Sequence, residues 1–222
     1  MARMSLKEQQ LKLREDLVLE AVNELLARKG YDLMTVDEVA AAVGIAKPSL
    51  YKHFESKEAL AAAAMIRLLE RTHEVIASQP ADAPPMERLR GVLRWALEQH
   101  LRGTMPLLPS TRSTLREALM RHKAYVDKLM AVSETLGGWI AEAQAAGQFA
   151  PELPMDVALF TLFARSCDPV LDYLKLAGNY SDAEIVDHML GVTFSGLART
   201  PPAAAKSSAT AATRTTASRK AA

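Results

Sequence analysis

The sequence predicts an all-α fold of about nine helices, and three observations carry that prediction. Aliphatic residues, Ala and Met dominate, while aromatics make up only 5% of the 222 residues. Apolar residues recur at three- and four-residue spacing along most of the chain, and no stretch alternates as a strand would. Gly and Pro are sparse and fall largely between the periodic runs, where helices start and stop. A chain of this length buries a sizeable core without covalent staples.

The first helix is expected over 6–28, with Leu13, Leu17, Ala21 and Leu25 as its buried stripe, flanked by Val18, Val22 and Leu26. Gly30 follows as a left-handed terminator. A second helix opens at Thr35, which stands in capping-box spacing with Glu38. Val36, Val39, Ala40 and Val43 form its inward face, and Gly44 ends it. A short third helix covers about 47–53; Pro48 suits its first turn, whereas Ala46 offers no capping oxygen. A fourth helix runs from Ser56 to about Ala77. After Pro80, Pro84 and Pro85 a fifth covers 86–102, with Leu89, Leu93, Trp95, Leu97 and Leu101 apolar.

Thr114 and Glu117 repeat the capping spacing and open helical sequence toward Ala146, with a break expected near Gly137-Gly138. A loop follows over 147–154. The next helix, about 155–176, contains Pro169, which predicts a kink or break there. Ser181 and Glu184 cap a last helix to about Leu197. From Thr200 the chain is rich in Ala, Thr, Ser and Pro, with four Lys/Arg and no acids, the composition of a disordered basic tail.

Other counts exclude whole classes. One cysteine, Cys167, rules out an internal disulfide and a cysteine metal cage, and a reducing cytoplasm is the simplest compartment. No apolar run approaches the roughly 18 residues that span a bilayer, and the opening MARMSLKEQQLKLRED lacks a signal-peptide core. The expectation is a soluble cytoplasmic protein with no membrane partner. His53, His73, His100, His122 and His188 are scattered, with no HExxH pair, phosphate loop or nucleophile elbow. Hence no catalytic residue, metal or cofactor is expected, and an enzyme is the disfavoured class. The net charge is +1, and residues 1–60 carry nine Lys/Arg against ten Asp/Glu. Bulk charge therefore gives no nucleic-acid signal; any positive surface must be local.

Residues 30–60 read GYDLMTVDEVAAAVGIAKPSLYKHFESKEAL. Helix 35–43, the turn Gly44-Ile45-Ala46 and helix 47–53 have the logic of a helix-turn-helix. Ala40 is small where the helices cross, Ile45 plugs the gap, and Leu50 and Phe54 face the core. Lys47, Ser49, Lys52 and His53 remain outward, with Tyr51 at the edge, a set suited to phosphates and major-groove base edges. Lys57 opens the following helix, whose N–H groups favour a phosphate. The plain alternative is a helical hairpin with a wet polar face. The small residue, turn glycine, Pro-opened helix and acid-poor face all in register speak against it.

This segment resembles the N-terminal domain of the TetR family of one-component regulators. The matching residues are Gly30-Tyr31, Thr35-Val36, Val39-Ala40, Val43-Gly44-Ile45, Leu50-Tyr51, His53-Phe54, Lys57-Glu58 and Leu60. The resemblance implies an N-terminal helix-turn-helix domain (1–60, with linking helix 56–77) and a C-terminal ligand-binding and dimerisation domain (84–198). The basic tail is 200–222. It further implies a homodimer on a palindromic double-stranded DNA operator, and a repressor released by an unknown small-molecule effector. An architectural DNA-binding protein without effector is the alternative.

Position by position, the resemblance places Thr35 at a backbone phosphate. It places Lys47, Pro48 and Ser49 at the groove-facing start of the recognition helix, and Tyr51, Lys52, His53 and Lys57 at phosphate contacts. Asp37 stands where the tetracycline repressor has a basic base-reading residue, and Ala46 replaces a small hydroxyl. Base reading is therefore expected from the recognition helix almost alone. The last two long helices are expected to pair with their copies in a four-helix bundle through Leu159, Leu162, Phe163, Val170 and Leu174, then Ile185, Met189 and Val192. An effector pocket is expected among 86–102, 114–146 and 155–176. Its candidate walls are Trp95, His100, Leu101, Met105, Leu119, Phe163 and Cys167, with Leu97, Tyr125, Met130 and Phe160 as further candidates.

Overall fold

A computed structural model describes residues 5–106 and 113–195 of the chain. The described residues form helices and connecting turns, with no strand among them. Ten helical segments follow one another: α1 Leu6–Leu33, α2 Val36–Val43, α3 Lys47–Tyr51, α4 Lys57–Ser78, α5 Pro85–Leu101, α6 Thr114–Arg121, α7 Lys123–Ala145, α8 Met155–Ser166, α9 Val170–Ala177 and α10 Asp182–Ser195. The segments α6 and α7 meet at the single residue His122. The expected basic tail from Thr200 lies outside the described residues.

Several local signals act as their chemistry dictates. Thr35 and Glu38 form a reciprocal capping box at the start of α2, and Gly44 ends that helix in the left-handed region (φ 71°, ψ 33°). Ser181 and Glu184 make the same reciprocal bonds ahead of α10. Pro169 separates α8 from α9, because it lacks the N–H that a continuous helix needs.

Other expectations are corrected. On α1, Leu13 and Leu17 are 62% and 51% exposed; the buried face is Val18, Leu19, Val22, Leu25 and Leu26. The N-terminal turns of α1 run past the core, so their apolar spacing meets no partner among the described residues. Ser113, not Thr114, caps α6, its hydroxyl accepting from the Leu115 N–H at 3.2 Å. The long run toward Ala146 breaks at His122 and continues as helix through Gly137-Gly138. Gly137 gives Met155 room there: a Cβ on it would lie 3.2 Å from the Met155 sulfur.

Two hydrophobic cores lie along the chain. The first gathers Val22, Leu25, Met34, Val39, Leu50 and Leu60 from the N-terminal helices, together with Leu115, Leu119 and Tyr125 of α6 and α7. The second gathers Leu97 of α5, Ile140 of α7, Leu162 of α8, Leu171 of α9 and Ile185 of α10. Helix α4 belongs to both, with Leu60, Ala64 and Met65 in the first and Ile76 in the second. At about 1.5 Å per residue its 22 residues reach from one core to the other. Helix α7 packs along α4 and likewise enters both. Among the described residues, no helix is long and apolar enough to cross a membrane, and no cluster of His, Cys, Asp and Glu could hold a metal ion.

Candidate nucleic-acid interface and ligand cavity

The interface is built outward from a buried frame. Val36, Val39 and Ala40 bury one face of α2, and Leu50 and Phe54 anchor α3 and the turn after it. The Ile45 N–H donates to the Ala40 carbonyl at 3.0 Å, which closes the turn between the two helices, and the Ile45 side chain packs against the first core. No side chain caps α3, as Ala46 foretells, and Pro48 occupies its first turn. The Phe54 N–H bonds the Leu50 carbonyl at 2.9 Å, and Ser56 then caps α4 by accepting from the Ala59 N–H at 3.0 Å.

This frame leaves Lys47, Pro48, Tyr51, Lys52 and His53 exposed on one short segment, with Ser49 half-buried beside them. Their electrostatic states differ. Lys47 Nζ donates to Asp37 Oδ2 at 2.8 Å, and that hydrogen bond raises the lysine's pKa. Lys52 has no carboxylate partner among the described residues. Lys57 is half-buried, with Nζ 4.2 Å from the centroid of the Tyr31 ring. The Thr35 hydroxyl donates to Glu38 Oε2 at 2.8 Å, so its proton is used inside the capping box.

Two further contacts brace the frame. Lys29 Nζ donates to both Glu38 carboxylate oxygens, at 2.5 and 2.6 Å, tying α1 to α2. The Tyr31 hydroxyl donates to Glu58 Oε1 at 2.7 Å, tying the end of α1 to the start of α4. Burial and this bond raise the Tyr31 pKa, and the same bond lowers that of Glu58. The Asp37–Lys47, Lys29–Glu38 and Tyr31–Glu58 pairs all join different helices, and periodicity along one helix gives no hint of them.

A second feature lies between the cores. A partly open cavity of about 130 Å³ is lined by α4, α5, α7, α8 and the segment after α5. Trp95, Met105, Phe163 and Cys167 line it, as does Tyr125. Leu101 sits in the second core and Leu119 in the first, and neither lines the cavity. His100 is buried with Nε2 3.3 Å from Asp172 Oδ1, joining α5 to α9, and it does not line the cavity either. Leu97 is likewise core, and Met130 and Phe160 are exposed. The reasoning from sequence missed Met65, Leu68, Leu69 and Thr72, the face that α4 gives to the cavity. The run of apolar residues on α4 was the available signal, and it reads equally well as core.

The expected pairing seam also differs. Ile185 and Met189 are consumed by the chain's own second core, as are Leu159 and Leu162. The apolar residues left outward on α8 and α9 include Val157, Phe160, Val170, Tyr173 and Leu176.

A three-helix N-terminal domain that presents α3 on the frame of α1 and α2 defines the class of helix-turn-helix proteins. Residues 18–64 match the family described as bacterial regulatory proteins, tetR family. The chain is 27% identical over 145 residues to the HTH-type transcriptional regulator TcmR of Streptomyces glaucescens, a match covering 64% of this chain and 63% of that protein. The chain thus spans less than two thirds of the length of the curated relatives it matches. Among solved structures, the fatty acid degradation regulator FadR from Bacillus halodurans has the same fold, with a TM-score of 0.63 at 20% identity, covering 88% of this chain and 98% of that one. AibR, solved in complex with isovaleryl coenzyme A and operator DNA, aligns with a TM-score of 0.60 at 24% identity over 82% of this chain and 98% of its own. TcmR and FadR are both regulators.

Proposed function

We propose that the chain is a ligand-responsive, DNA-binding transcription regulator, a repressor that a small molecule releases from a palindromic operator. One observation carries the reading: α4 is both a wall of the cavity and a part of the helix-turn-helix core. Leu60 and Ala64 lie in that core, and Leu68, Leu69 and Thr72 line the cavity, all on one continuous helix. A ligand that shifts this helix reorients α3 without touching DNA. AibR supports the reading as a protein of the same fold whose complex holds both isovaleryl coenzyme A and operator DNA.

The reading assigns roles to the exposed set. Lys52, Tyr51, His53 and Lys57 grip phosphates, Lys47, Pro48 and Ser49 meet base edges, and Thr35 meets a phosphate at the start of α2. Two copies of α3 must enter successive major grooves roughly 34 Å apart, which calls for a homodimer. The outward apolar residues of α8 and α9 are the surface available for it. By linkage, DNA weakens the ligand by the factor that the ligand weakens DNA.

A footprint on the DNA upstream of the chain's own gene and its neighbours tests this. Protection of one short palindrome is the expected result. Uniform coating of the DNA would overturn it in favour of an architectural protein.

A further inference from the structure

The cavity's lining states what kind of molecule it can hold, given the reading of it as an effector site. No Lys, Arg, Asp, Glu or His lines it among the described residues. A charged ligand would lose its hydration there and gain no counter-charge. Most of the polar groups present have spent their protons on their own helices. The Thr72 hydroxyl donates to the Leu68 carbonyl at 2.9 Å, and the Ser166 hydroxyl to the Phe163 carbonyl at 2.7 Å. The Cys167 thiol donates to the same Phe163 carbonyl at 3.4 Å.

Tyr125 is different. It is nine-tenths buried, it lines the cavity, and its hydroxyl has no hydrogen-bond partner among the described residues. Burial alone raises its pKa, so the hydroxyl keeps its proton and stays a donor. The hydroxyl oxygen keeps some accessible surface at the cavity, so a ligand acceptor can take its hydrogen bond in place of water. The room inside suits a small molecule. An apolar cavity of about 150 Å³ takes up benzene, and the room here, about 130 Å³, is of that order.

We infer that the cavity binds a compact, uncharged, largely apolar molecule carrying one oxygen acceptor, which the Tyr125 hydroxyl orients. The placement of Tyr125 gives this bond a consequence. Its ring also belongs to the first core, packed with Leu119 of α6 and the residues of α4. A ligand bonded to this hydroxyl therefore pulls on the same side chain that packs against the helix-turn-helix frame. Ligands of equal shape that lack the acceptor fill the cavity without that pull.

Titration calorimetry of the full chain with acetophenone and with α-methylstyrene, which replaces the carbonyl oxygen by a CH₂ of similar shape, tests the inference. Wild type should prefer acetophenone by roughly three- to tenfold, the factor an ordinary hydrogen bond gives. Tyr125→Phe, a substitution that keeps the packing, should bind both equally. Thermal melting of the variant confirms that it is folded. Equal binding of the two probes by wild type, or a preference that survives in Tyr125→Phe, overturns the role of Tyr125 and leaves the cavity reading standing. Benzoate or isovaleryl-CoA binding more tightly than acetophenone overturns the uncharged class. Failure of both neutral probes to bind overturns the inference as a whole, while the footprint still decides whether the chain is a regulator.

Discussion

Asp37 on α2 holds Lys47 at the start of α3, with 2.8 Å between the carboxylate oxygen and the ammonium. Both side chains are exposed, so the pair contributes little to stability. Its effect falls on binding: the most groove-facing lysine is partly neutralised until something displaces Asp37. Asp37→Asn should therefore raise affinity for non-specific duplex several-fold at moderate salt. Lys47→Ala in that background should remove the gain, and Lys47→Ala alone should relax sequence preference. Fluorescence anisotropy with matched and scrambled duplexes measures this. Equal affinity of wild type and Asp37→Asn for scrambled DNA would show that the ion pair does not restrain Lys47.

Lys52 has no such restraint and is free for a phosphate. Roughly eight phosphate contacts per dimer give a slope of log K against log salt near −7. Lys52→Ala removes about two of them, one per protomer, so the slope should fall to near −5 with all sequences weakened alike. A slope unchanged by the substitution would assign Lys52 to plain solvated surface.

Glu38 is the acid-sensitive joint of the interface. Its hydrogen bond from Lys29, and then those within the Thr35 capping box, lower its pKa from 4.5 to about 2. A carboxylate lowered on folding stabilises the native state fully above its ordinary value. That stabilisation is lost as pH falls from about 4.5 toward 2. Wild type should therefore have the higher urea midpoint at pH 7 when compared with Glu38→Gln, and the gap should close over that acid window. A gap independent of pH would mean that the carboxylate's charge is irrelevant to it.

Phe160, Tyr173 and Leu176 are 67%, 70% and 85% exposed on α8 and α9. Apolar surface of this kind, gathered on adjacent helices, suits a pairing face. The double substitution Phe160→Glu and Leu176→Glu should give a folded monomer by light scattering and circular dichroism. It should also lose palindrome binding, because one recognition helix alone reaches one half-site. A variant that remains dimeric would move the interface elsewhere, and a wild-type monomer at micromolar concentration would remove it.

What sequence alone determined about this protein is what depends on neighbours within about four residues. The Thr35–Glu38 and Ser181–Glu184 boxes, the left-handed Gly44 and the break at Pro169 all close bonds inside one helical turn. The same proximity makes residue patterns in the helix-turn-helix legible, since Ala40, Ile45, Leu50 and Phe54 lie within 15 residues of one another. The rule also has a limit within its own range. Thr114 and Glu117 have capping spacing, yet Ser113 takes the cap, because a competing hydroxyl one residue earlier fits the start better.

Tertiary structure alone decided which faces meet. Among the described residues the α1 stripe is exposed at Leu13 and Leu17, and Gly137 leaves room for Met155 while the helix runs on through Gly137-Gly138. Ile185 and Met189, apolar at the spacing of a dimer seam, are buried by their own chain. The Asp37–Lys47 pair, the α4 wall of the cavity and the unpartnered Tyr125 hydroxyl arise where separate helices cross. Helical bonds are local and set each segment by itself. Crossing angles and offsets come from packing many side chains at once, and no single stretch of residues encodes them.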